Sequence, residues 1–182
     1  MTEQMGFTLW FTGLSGSGKT ALAKELAPLM RERGLNVERL DGDIVRQSLT
    51  RDLGFSKEDR DTNIERVTFV AKLLTRNNVA VICSFISPYI ARREKSRNQI
   101  GTFVECYVEC PLEVLIERDV KGLYKKALAG EIKNFTGVSD PYEAPPNPEI
   151  TVNSGTQTIE ESLAIIVQRL EELGYVPRQE EA

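Results

Sequence analysis

Residues 13–20 combine glycine, lysine and hydroxyl side chains in a spacing that suits phosphate chemistry. Two glycines stand five positions apart, followed by a lysine and a threonine, which is the pattern of a phosphate-binding loop. In such a loop, backbone N–H groups surround an anion and the following helix adds partial positive charge. Lys19 would reach the outer phosphates of a nucleoside triphosphate, and the Thr20 hydroxyl would ligate Mg²⁺. The predicted triphosphate-binding residues of this run are Gly13, Leu14, Ser15, Gly16, Ser17, Gly18, Lys19 and Thr20.

Two carboxylates flank a glycine in Asp41-Gly42-Asp43, at the end of a second strand-like run. Asp41 and Asp43 could bind Mg²⁺ through water or orient an attacking hydroxyl. The alternative is a turn that caps a following helix, and the local sequence leaves both open. The third strand-like run ends in Ser84-Phe85-Ile86-Ser87, without the aspartate that usually supports the metal in such proteins. This absence shifts the predicted metal site to Thr20 and Asp41.

Basic residues follow the second strand-like run. Arg46, Arg60 and Arg66 carry guanidinium groups, whose planar fork suits an anionic acceptor. Solvated surface positions are the alternative, and the local sequence by itself favours them. No Asn-Lys-x-Asp motif for guanine is present, which argues against a GTPase. The chain has no histidine, so chemistry based on histidine is excluded.

The composition is typical of one globular domain, predicted over residues 1–182. The 23 basic and 27 acidic residues give a net charge of −4, which argues against a protein held on nucleic acid by phosphate contacts. No apolar run approaches the roughly 20 residues that span a bilayer, and the first five residues do not resemble a signal peptide. Three cysteines, an odd number, favour reduced thiols. We therefore expect a cytoplasmic protein without a membrane partner.

Strand-like and helix-like runs alternate along the chain, which predicts a doubly wound α/β fold with a parallel five-stranded sheet and helices on both faces. A helix is predicted from Ala21 towards Gly34, one from a capping box at Ser56 to about Asn77, one starting at Ser87-Pro88, and one from Thr158 to Gly174. The active site of such a sheet lies at the carboxyl ends of its strands. The predicted strands are Phe7–Phe11, Val37–Leu40, Val79–Phe85, Phe103–Val108 and Ile150–Asn153.

Residues 121–149 break this alternation, since they are rich in lysine, glycine, proline and aromatics without a strong period. A loop of this length in a compact domain is usually functional. We interpret the segment as a lid that excludes water during phosphoryl transfer. The alternative is a disordered insertion, and Tyr124, Phe135 and Tyr142 weigh against it because aromatics are scarce in disordered segments.

Several longer motifs resemble the adenylylsulfate kinase (APS kinase) family, over residues 7–153 and in the family's order. The phosphate-binding loop alone would not separate this family from other kinases, whereas the longer motifs do. They are Asp41-Gly42-Asp43-Ile44-Val45-Arg46, Asp52-Leu53-Gly54-Phe55-Ser56, Arg60-Asp61-Thr62-Asn63, Ser84-Phe85-Ile86-Ser87-Pro88-Tyr89, Arg118-Asp119-Val120-Lys121-Gly122-Leu123-Tyr124, the run 130–137, and Pro141-Tyr142-Glu143-Ala144-Pro145.

The resemblance implies a P-loop kinase that transfers the γ-phosphate of ATP, with Mg²⁺, to the 3′-hydroxyl of adenosine 5′-phosphosulfate (APS). The catalytic residues it implies are Lys19, Asp43, Ser87 and Lys121, and it adds Arg118 to the ATP site. Asp43 would orient or deprotonate the hydroxyl, and the two lysines would neutralise the transferred group. The sulfonucleotide contacts it implies are Asp43, Arg46, Phe55, Arg60, Asn63, Ile86, Ser87, Lys121, Asn134 and Phe135.

Some points stay open beside the resemblance. The serine that matches Ser87 is assigned in the family as a phosphoserine intermediate, and direct in-line transfer is the simpler chemistry. Ala21, Glu65 and Val138-Ser139 depart from the family's usual residues, and no N-terminal arm or fused sulfurylase domain is expected. The resemblance also implies a homodimer. The alternatives in function are a regulatory module that binds APS or its product, and a P-loop kinase for another small molecule.

Overall fold

A parallel five-stranded sheet forms the centre of the computed structural model, which describes residues 5–178. Its strand order is β2-β3-β1-β4-β5, and every pairing is parallel. The predicted sheet is therefore confirmed. Both ends of the predicted domain 1–182, and four of the five residues examined for a signal peptide, lie outside the described part. The strands are β1 Phe7–Thr12, β2 Val37–Asp41, β3 Ala80–Ser84, β4 Phe103–Glu109 and β5 Ile150–Asn153.

Helices cover both faces of this sheet, and the three longest of them bury apolar side chains against it. Leu22 and Leu26 from one helix and Ile166 from another pack on one face, whereas Ile64 and Val67 pack with Trp10 on the other face. The first face carries α1 and α7, and the second carries α3 and α4. The helices are α1 Lys19–Glu32, α2 Gly42–Val45, α3 Lys57–Thr75, α4 Ile90–Ile100, α5 Leu112–Arg118, α6 Leu123–Leu128 and α7 Ile159–Glu172.

The helix starts test the capping predictions. At α7 the capping box is complete, with the Thr158 and Glu161 side chains each accepting the other's backbone N–H. At α3 the Ser56 hydroxyl accepts the N–H of Asp59, and the helix ends at Thr75 rather than near Asn77. The predicted start of α4 at Ser87-Pro88 is wrong.

Helix α4 begins at Ile90 instead, with Tyr89 as its N-cap. Ser87 has a φ of 41°, and a residue before proline is disfavoured in the right-handed helical region because the proline ring clashes with it. The β3–α4 connection is therefore an irregular loop at the edge of the sheet.

Two short helices, α5 and α6, were not predicted, and α2 is the helix that the capping alternative at Asp41 left open; the three span 7, 6 and 4 residues. Segments this short carry too few apolar positions to display a helical period. The segment 121–149 contains α6, followed by an irregular stretch with a single bridge between Thr136 and Asp140. Within residues 5–178, no helix is long and apolar enough to cross a membrane.

The sheet register brings the predicted chemistry to one edge. Ser84, at the end of β3, pairs with Phe11 of β1 on one side and with Asp41 of β2 on the other. The segments that leave these three strands, namely 13–20, 42–46 and 85–89, consequently emerge beside one another.

Candidate active site

The loop between β1 and α1 has the backbone of an anion cradle. Gly13, Gly16 and Gly18 all have positive φ, which glycine adopts without strain. At Gly13 the requirement is also steric, because a Cβ atom there would lie 2.4 Å from the carbonyl oxygen of Val108 on β4. The loop is thus pressed against the neighbouring strand in a way that only glycine permits.

Lys19 lies folded over this loop and is almost completely buried. Its Nζ donates hydrogen bonds to the carbonyl oxygens of Gly13 at 2.8 Å and Leu14 at 2.7 Å. Burial and, to a smaller extent, the charge of Lys121 lower the pKa of Lys19 to about 7, although Asp41 and Asp43 partly offset these two effects. The ammonium group therefore gains electrostatically from any polyanion that enters the loop.

Asp41 joins the loop to the tip of β2. Its Oδ2 accepts the Thr20 hydroxyl at 2.7 Å, and its Oδ1 accepts the N–H of Asp43 at 3.0 Å, which caps α2. The cap alternative is therefore correct for this carboxylate, which also contacts the predicted magnesium ligand. A buried carboxylate next to a hydroxyl fits Mg²⁺, which takes oxygen ligands and retains waters and phosphate oxygens in its shell.

Asp43 meets the distant Lys121 at the mouth of the loop. Lys121 Nζ lies 2.8 Å from Asp43 Oδ2, and both side chains are largely exposed. The connection that carries Lys121 is fixed by Asp119, whose carboxylate accepts the N–H groups of Tyr124 and Lys125 at the start of α6. Two predicted catalytic residues that are 78 positions apart in sequence are thus in direct contact.

Two of the three candidate arginines lie beside this mouth. Arg46 donates to the Gly54 carbonyl at 3.0 Å, and its guanidinium lies 4.4 Å from the centre of the Phe55 ring. Phe55 nevertheless remains largely exposed. Arg60 donates to the Tyr89 hydroxyl at 3.0 Å and forms an ion pair with Asp140.

Arg66 is different, because it forms an exposed ion pair with Asp52 at 2.6 Å. The surface interpretation is therefore correct for Arg66. Arg60 borders a cleft of about 430 Å³, and the cleft is lined by Ser56, Lys57, Glu58, Arg60, Tyr89, Asn134, Asp140, Pro141 and Glu143.

Ser87 and Asn63 are both buried. Trp10 Nε1 donates to Ser87 Oγ at 2.9 Å, and Ser87 Oγ donates in turn to the Phe85 carbonyl at 3.3 Å. The Ile86 carbonyl accepts the Thr12 hydroxyl at 2.7 Å. Asn63 is 5% exposed, and its Oδ1 is without a hydrogen-bond partner among the described residues. An unpaired buried amide oxygen is a feature that a bound polar group would satisfy.

The segment 121–149 packs directly on the phosphate-binding loop. The Tyr124 hydroxyl donates to the Ser15 carbonyl at 2.7 Å, and the Phe135 ring meets Tyr124 edge-on at 5.1 Å. At Gly137, whose φ is 92°, a Cβ atom would lie 2.8 Å from a methyl group of Leu14. The disordered alternative is thereby wrong.

Asn134 and Arg118 occupy less direct positions. Asn134 has a φ of 55° and presents its backbone carbonyl to Arg60 at 3.4 Å. Arg118 donates to the Ser154 carbonyl at 3.0 Å and borders the same small cavity as Ser15. Their predicted roles in APS and ATP binding stay predictions.

Sequence reasoning missed several residues that support this site. Tyr142 shares a hydrogen bond with the Thr12 hydroxyl at 2.9 Å, Asp140 pairs with Arg60, and Arg93 is 2% exposed and binds three partners. The motif around Tyr142 had marked that residue as unusual. Nothing local distinguishes Arg93 from a surface arginine on an amphipathic helix.

The sheet order, the phosphate-binding loop and the cleft beside it define a P-loop kinase. The model of the adenylylsulphate kinase family matches residues 5–153, so the chain belongs to the adenylylsulfate kinase family. It is 66% identical over 169 residues to a probable adenylyl-sulfate kinase from Pseudomonas aeruginosa, covering 93% of this chain and 79% of that protein.

Solved structures agree with this membership. An APS kinase from Mycobacterium tuberculosis in complex with AMPPNP and APS superposes with a TM-score of 0.87 at 40% identity, over 92% of this chain and 99% of that one. A hexameric APS kinase from Thiobacillus denitrificans superposes with a TM-score of 0.74 at 38% identity, over 96% of this chain and 30% of that one. The predicted family, fold class and kinase activity are thereby confirmed.

Proposed function

We propose that this kinase transfers the γ-phosphoryl group of ATP to the 3′-hydroxyl of APS, giving ADP and 3′-phosphoadenosine 5′-phosphosulfate (PAPS). The contact between Asp43 and Lys121 at the mouth of the phosphate-binding loop carries the proposal. It joins a base and a cation at the point where the loop opens towards the arginine-bordered cleft. Phosphoryl transfer is accelerated mainly by such positioning and charge.

In this mechanism the side chains and backbone of the protein orient the substrates, neutralise charge on the transferred group and exclude water. The loop N–H groups and Lys19 hold the β- and γ-phosphates, and Asp43 Oδ2 accepts the proton of the 3′-hydroxyl. Lys121 and Lys19 offset the charge that develops on the transferred group. The lid over residues 121–149 keeps water from competing with the hydroxyl.

Thr20 and Asp41 are the residues that would hold Mg²⁺, the first through its hydroxyl and the second through water. When bound, the ion would neutralise negative charge on the triphosphate. The part-buried Thr20–Asp41 hydrogen bond supports this assignment, because it holds an oxygen of each side chain together at the end of the phosphate-binding loop.

The acceptor would lie in the cleft bordered by Arg60. Phe55 and Phe135 would contact the adenine, where stacking contributes about 1–3 kcal/mol per base. Arg46 and Arg60 would bind the phosphosulfate, and Asn63 would use its unpaired Oδ1 to accept from a polar edge.

Direct transfer is favoured over a phosphoserine intermediate. Ser87 is 3% exposed, its oxygen accepts from Trp10, and its proton is directed to the Phe85 carbonyl rather than to a base. A serine nucleophile needs a base within hydrogen-bond reach. We therefore assign Ser87 to acceptor positioning, through the loop that also presents Ile86.

We propose that the protein forms a homodimer. The family resemblance and the hexameric relative support self-association, and the number of subunits is part of the proposal. Light scattering on the purified chain would test it, and a monomer would contradict it. The predicted cytoplasmic location also stays a prediction.

The decisive experiment measures transfer of the labelled γ-phosphate from ATP to APS with Mg²⁺, followed by separation of the nucleotides. We expect label in PAPS with the wild type, and losses of roughly 100-fold or more in Lys19→Ala and Asp43→Ala. Lys95→Ala, which removes a surface lysine that pairs with Glu65, should behave as the wild type.

Two outcomes would overturn the proposal. Tight binding of APS without any transfer would indicate a regulatory binding module. Transfer to adenosine monophosphate or a sugar acid, but not to APS, would indicate a kinase for another small molecule.

A further inference from the structure

Arg93 on α4 is among the most deeply buried side chains of the described molecule, and all three of its guanidinium nitrogens are bonded. Nε donates to Glu105 Oε1 at 2.6 Å, Nη1 to the Ser87 carbonyl at 2.6 Å, and Nη2 to the Glu143 carbonyl at 2.7 Å. A planar guanidinium can serve three fixed acceptors at once, whereas a lysine ammonium on its flexible stem cannot match this geometry.

The charge of Arg93 is balanced inside the fold. Glu105 on β4 is buried, and its backbone N–H donates to Glu149 Oε2 at 2.7 Å, while Arg97 binds Glu149 at 2.6 Å. A buried ion pair is weak evidence for stability, because desolvation offsets the attraction. The bonds of Arg93 to two backbone carbonyls therefore call for a reason other than stability.

The first carbonyl belongs to the strained loop of the acceptor site. Ser87 has a φ of 41°, and a left-handed conformation of this kind is strained and persists only where the surrounding structure fixes it. The hydrogen bond from Arg93 to the Ser87 carbonyl holds this loop against helix α4. Ile86, which is proposed to contact APS, directly precedes this residue.

The second carbonyl belongs to the end of the segment 121–149. Glu143 also donates its N–H to the Pro88 carbonyl at 2.9 Å, and its carboxylate accepts the N–H of Ile90 at 2.7 Å. Asp140, three residues earlier, holds the cleft arginine Arg60. Arg93 thus connects the loop on one side of the cleft to the segment that orients the arginine on the other.

We infer that Arg93 is a positioning residue for the acceptor nucleotide: it fixes the spacing between the Ser87 loop and the segment that carries Asp140 and Glu143. This inference rests on the proposed APS kinase function. Arg93 makes no bond to the phosphate-binding loop, so its loss should weaken acceptor binding and in-line alignment without weakening ATP binding.

The test compares Arg93→Lys with the control variant Arg97→Lys. Arg97 lies on the same helix and also binds glutamates, but it does not bind the carbonyl of Ser87 or of Glu143. Each variant is assayed for kcat, for the KM of APS and of ATP, and for AMPPNP binding by calorimetry. For Arg93→Lys we expect a rise of about 10- to 100-fold in the KM of APS with a fall in kcat. AMPPNP affinity should stay within about twofold of wild type, and Arg97→Lys should resemble the wild type.

A merely structural role predicts something else, namely a smaller active fraction that lowers kcat and leaves KM unchanged. If the KM of APS in Arg93→Lys stays within about threefold of wild type, or rises equally in Arg97→Lys, the inference is overturned. Should Arg93→Lys not fold, Arg93→Met combined with Glu105→Leu removes both buried charges together, and the same KM criterion applies. A wild type that neither binds nor phosphorylates APS overturns the proposed function and this inference with it.

Discussion

The Thr20 hydroxyl donates to Asp41 across 2.7 Å and so joins the phosphate-binding loop to the tip of β2. The same carboxylate caps α2 by accepting the N–H of Asp43 at 3.0 Å. One buried side chain therefore fixes both the proposed magnesium ligand and the backbone that presents the proposed base. A substitution of Thr20 or Asp41 should therefore change the Mg²⁺ dependence of activity more than it changes folding stability.

Asp41→Asn should separate these two duties. Asparagine still caps a helix, and its amide can still bond to Thr20, but the negative charge is lost. Since partners behind metal ligands typically contribute 10- to 100-fold, we expect about that loss of activity at low Mg²⁺, with partial recovery as Mg²⁺ is raised. Initial rates across a Mg²⁺ titration measure this effect. Asp52→Asn, on an exposed carboxylate paired with Arg66, is the control, and an unchanged Mg²⁺ dependence in Asp41→Asn would contradict the assignment.

Gly137→Ala should uncouple the segment 121–149 from the phosphate-binding loop. The added Cβ atom would lie 2.8 Å from Leu14, at a φ of 92°. Gly130→Ala is a matched control, because its φ is 75° but nothing lies within 4 Å of the added atom. Both variants carry backbone strain of about 1–2 kcal/mol from the positive φ. Only Gly137→Ala adds a steric clash, namely that with Leu14.

Both glycine variants are measured by urea unfolding and by kcat. We expect Gly137→Ala to lose more stability and more activity than Gly130→Ala. Combining it with Leu14→Ala should restore part of both, since that change removes the clashing methyl groups. Equal losses in the two single variants would show that the contact between Gly137 and Leu14 does not matter.

Ser87→Ala should retain turnover within about tenfold of wild type, because direct transfer forms no covalent bond to the Ser87 oxygen. The indole N–H of Trp10 loses its acceptor, so the melting temperature should fall. Rapid acid quenching with labelled ATP tests for phosphoprotein at the same time. Ser96→Ala, on a buried serine that bonds to Thr68, is the control. Labelled Ser87 that is chased into PAPS would refute direct transfer.

Glu149→Gln should change how stability depends on pH. Burial would raise the pKa of Glu149, but hydrogen bonds from Arg97 and from the Glu105 N–H outweigh it, so the pKa lies below the ordinary 4.5. A lowered carboxyl pKa contributes stability that is present above 4.5 and is lost as the pH falls through the folded-state value.

The free energy of unfolding of Glu149→Gln should therefore be lower than wild type by about 1–2 kcal/mol at pH 7. The gap should narrow below pH 4.5, as wild-type Glu149 takes up its proton. Chemical denaturation between pH 3 and pH 7, roughly the range in which carboxylates titrate, provides the measurement. Glu25→Gln, at an exposed position of α1, should follow the wild type throughout, and a constant gap for Glu149→Gln would rule out the linkage.

The sequence by itself determined the features whose cause is local. The glycines and lysine of residues 13–20, the apolar runs of the five strands and the capping box at Thr158 act through neighbours a few positions away. Alternation of strands and helices then leaves few topologies, since parallel crossovers are right-handed. The family motifs extended this to the site, and they placed Asp43 and Lys121 in one centre before their contact was seen.

Only the tertiary structure decided which polar residues became part of the site. Arg60 faces the cleft and Arg66 faces solvent although both lie on α3, because the Asp140 that binds Arg60 comes from a segment 80 residues away. The unhelical backbone at Ser87 and the burial of Arg93 likewise depend on Trp10, Glu105 and Glu143. A guanidinium or hydroxyl group that remains in water loses no hydrogen bonds. Whether it is buried is therefore decided by hydrogen-bond acceptors that only the assembled fold provides.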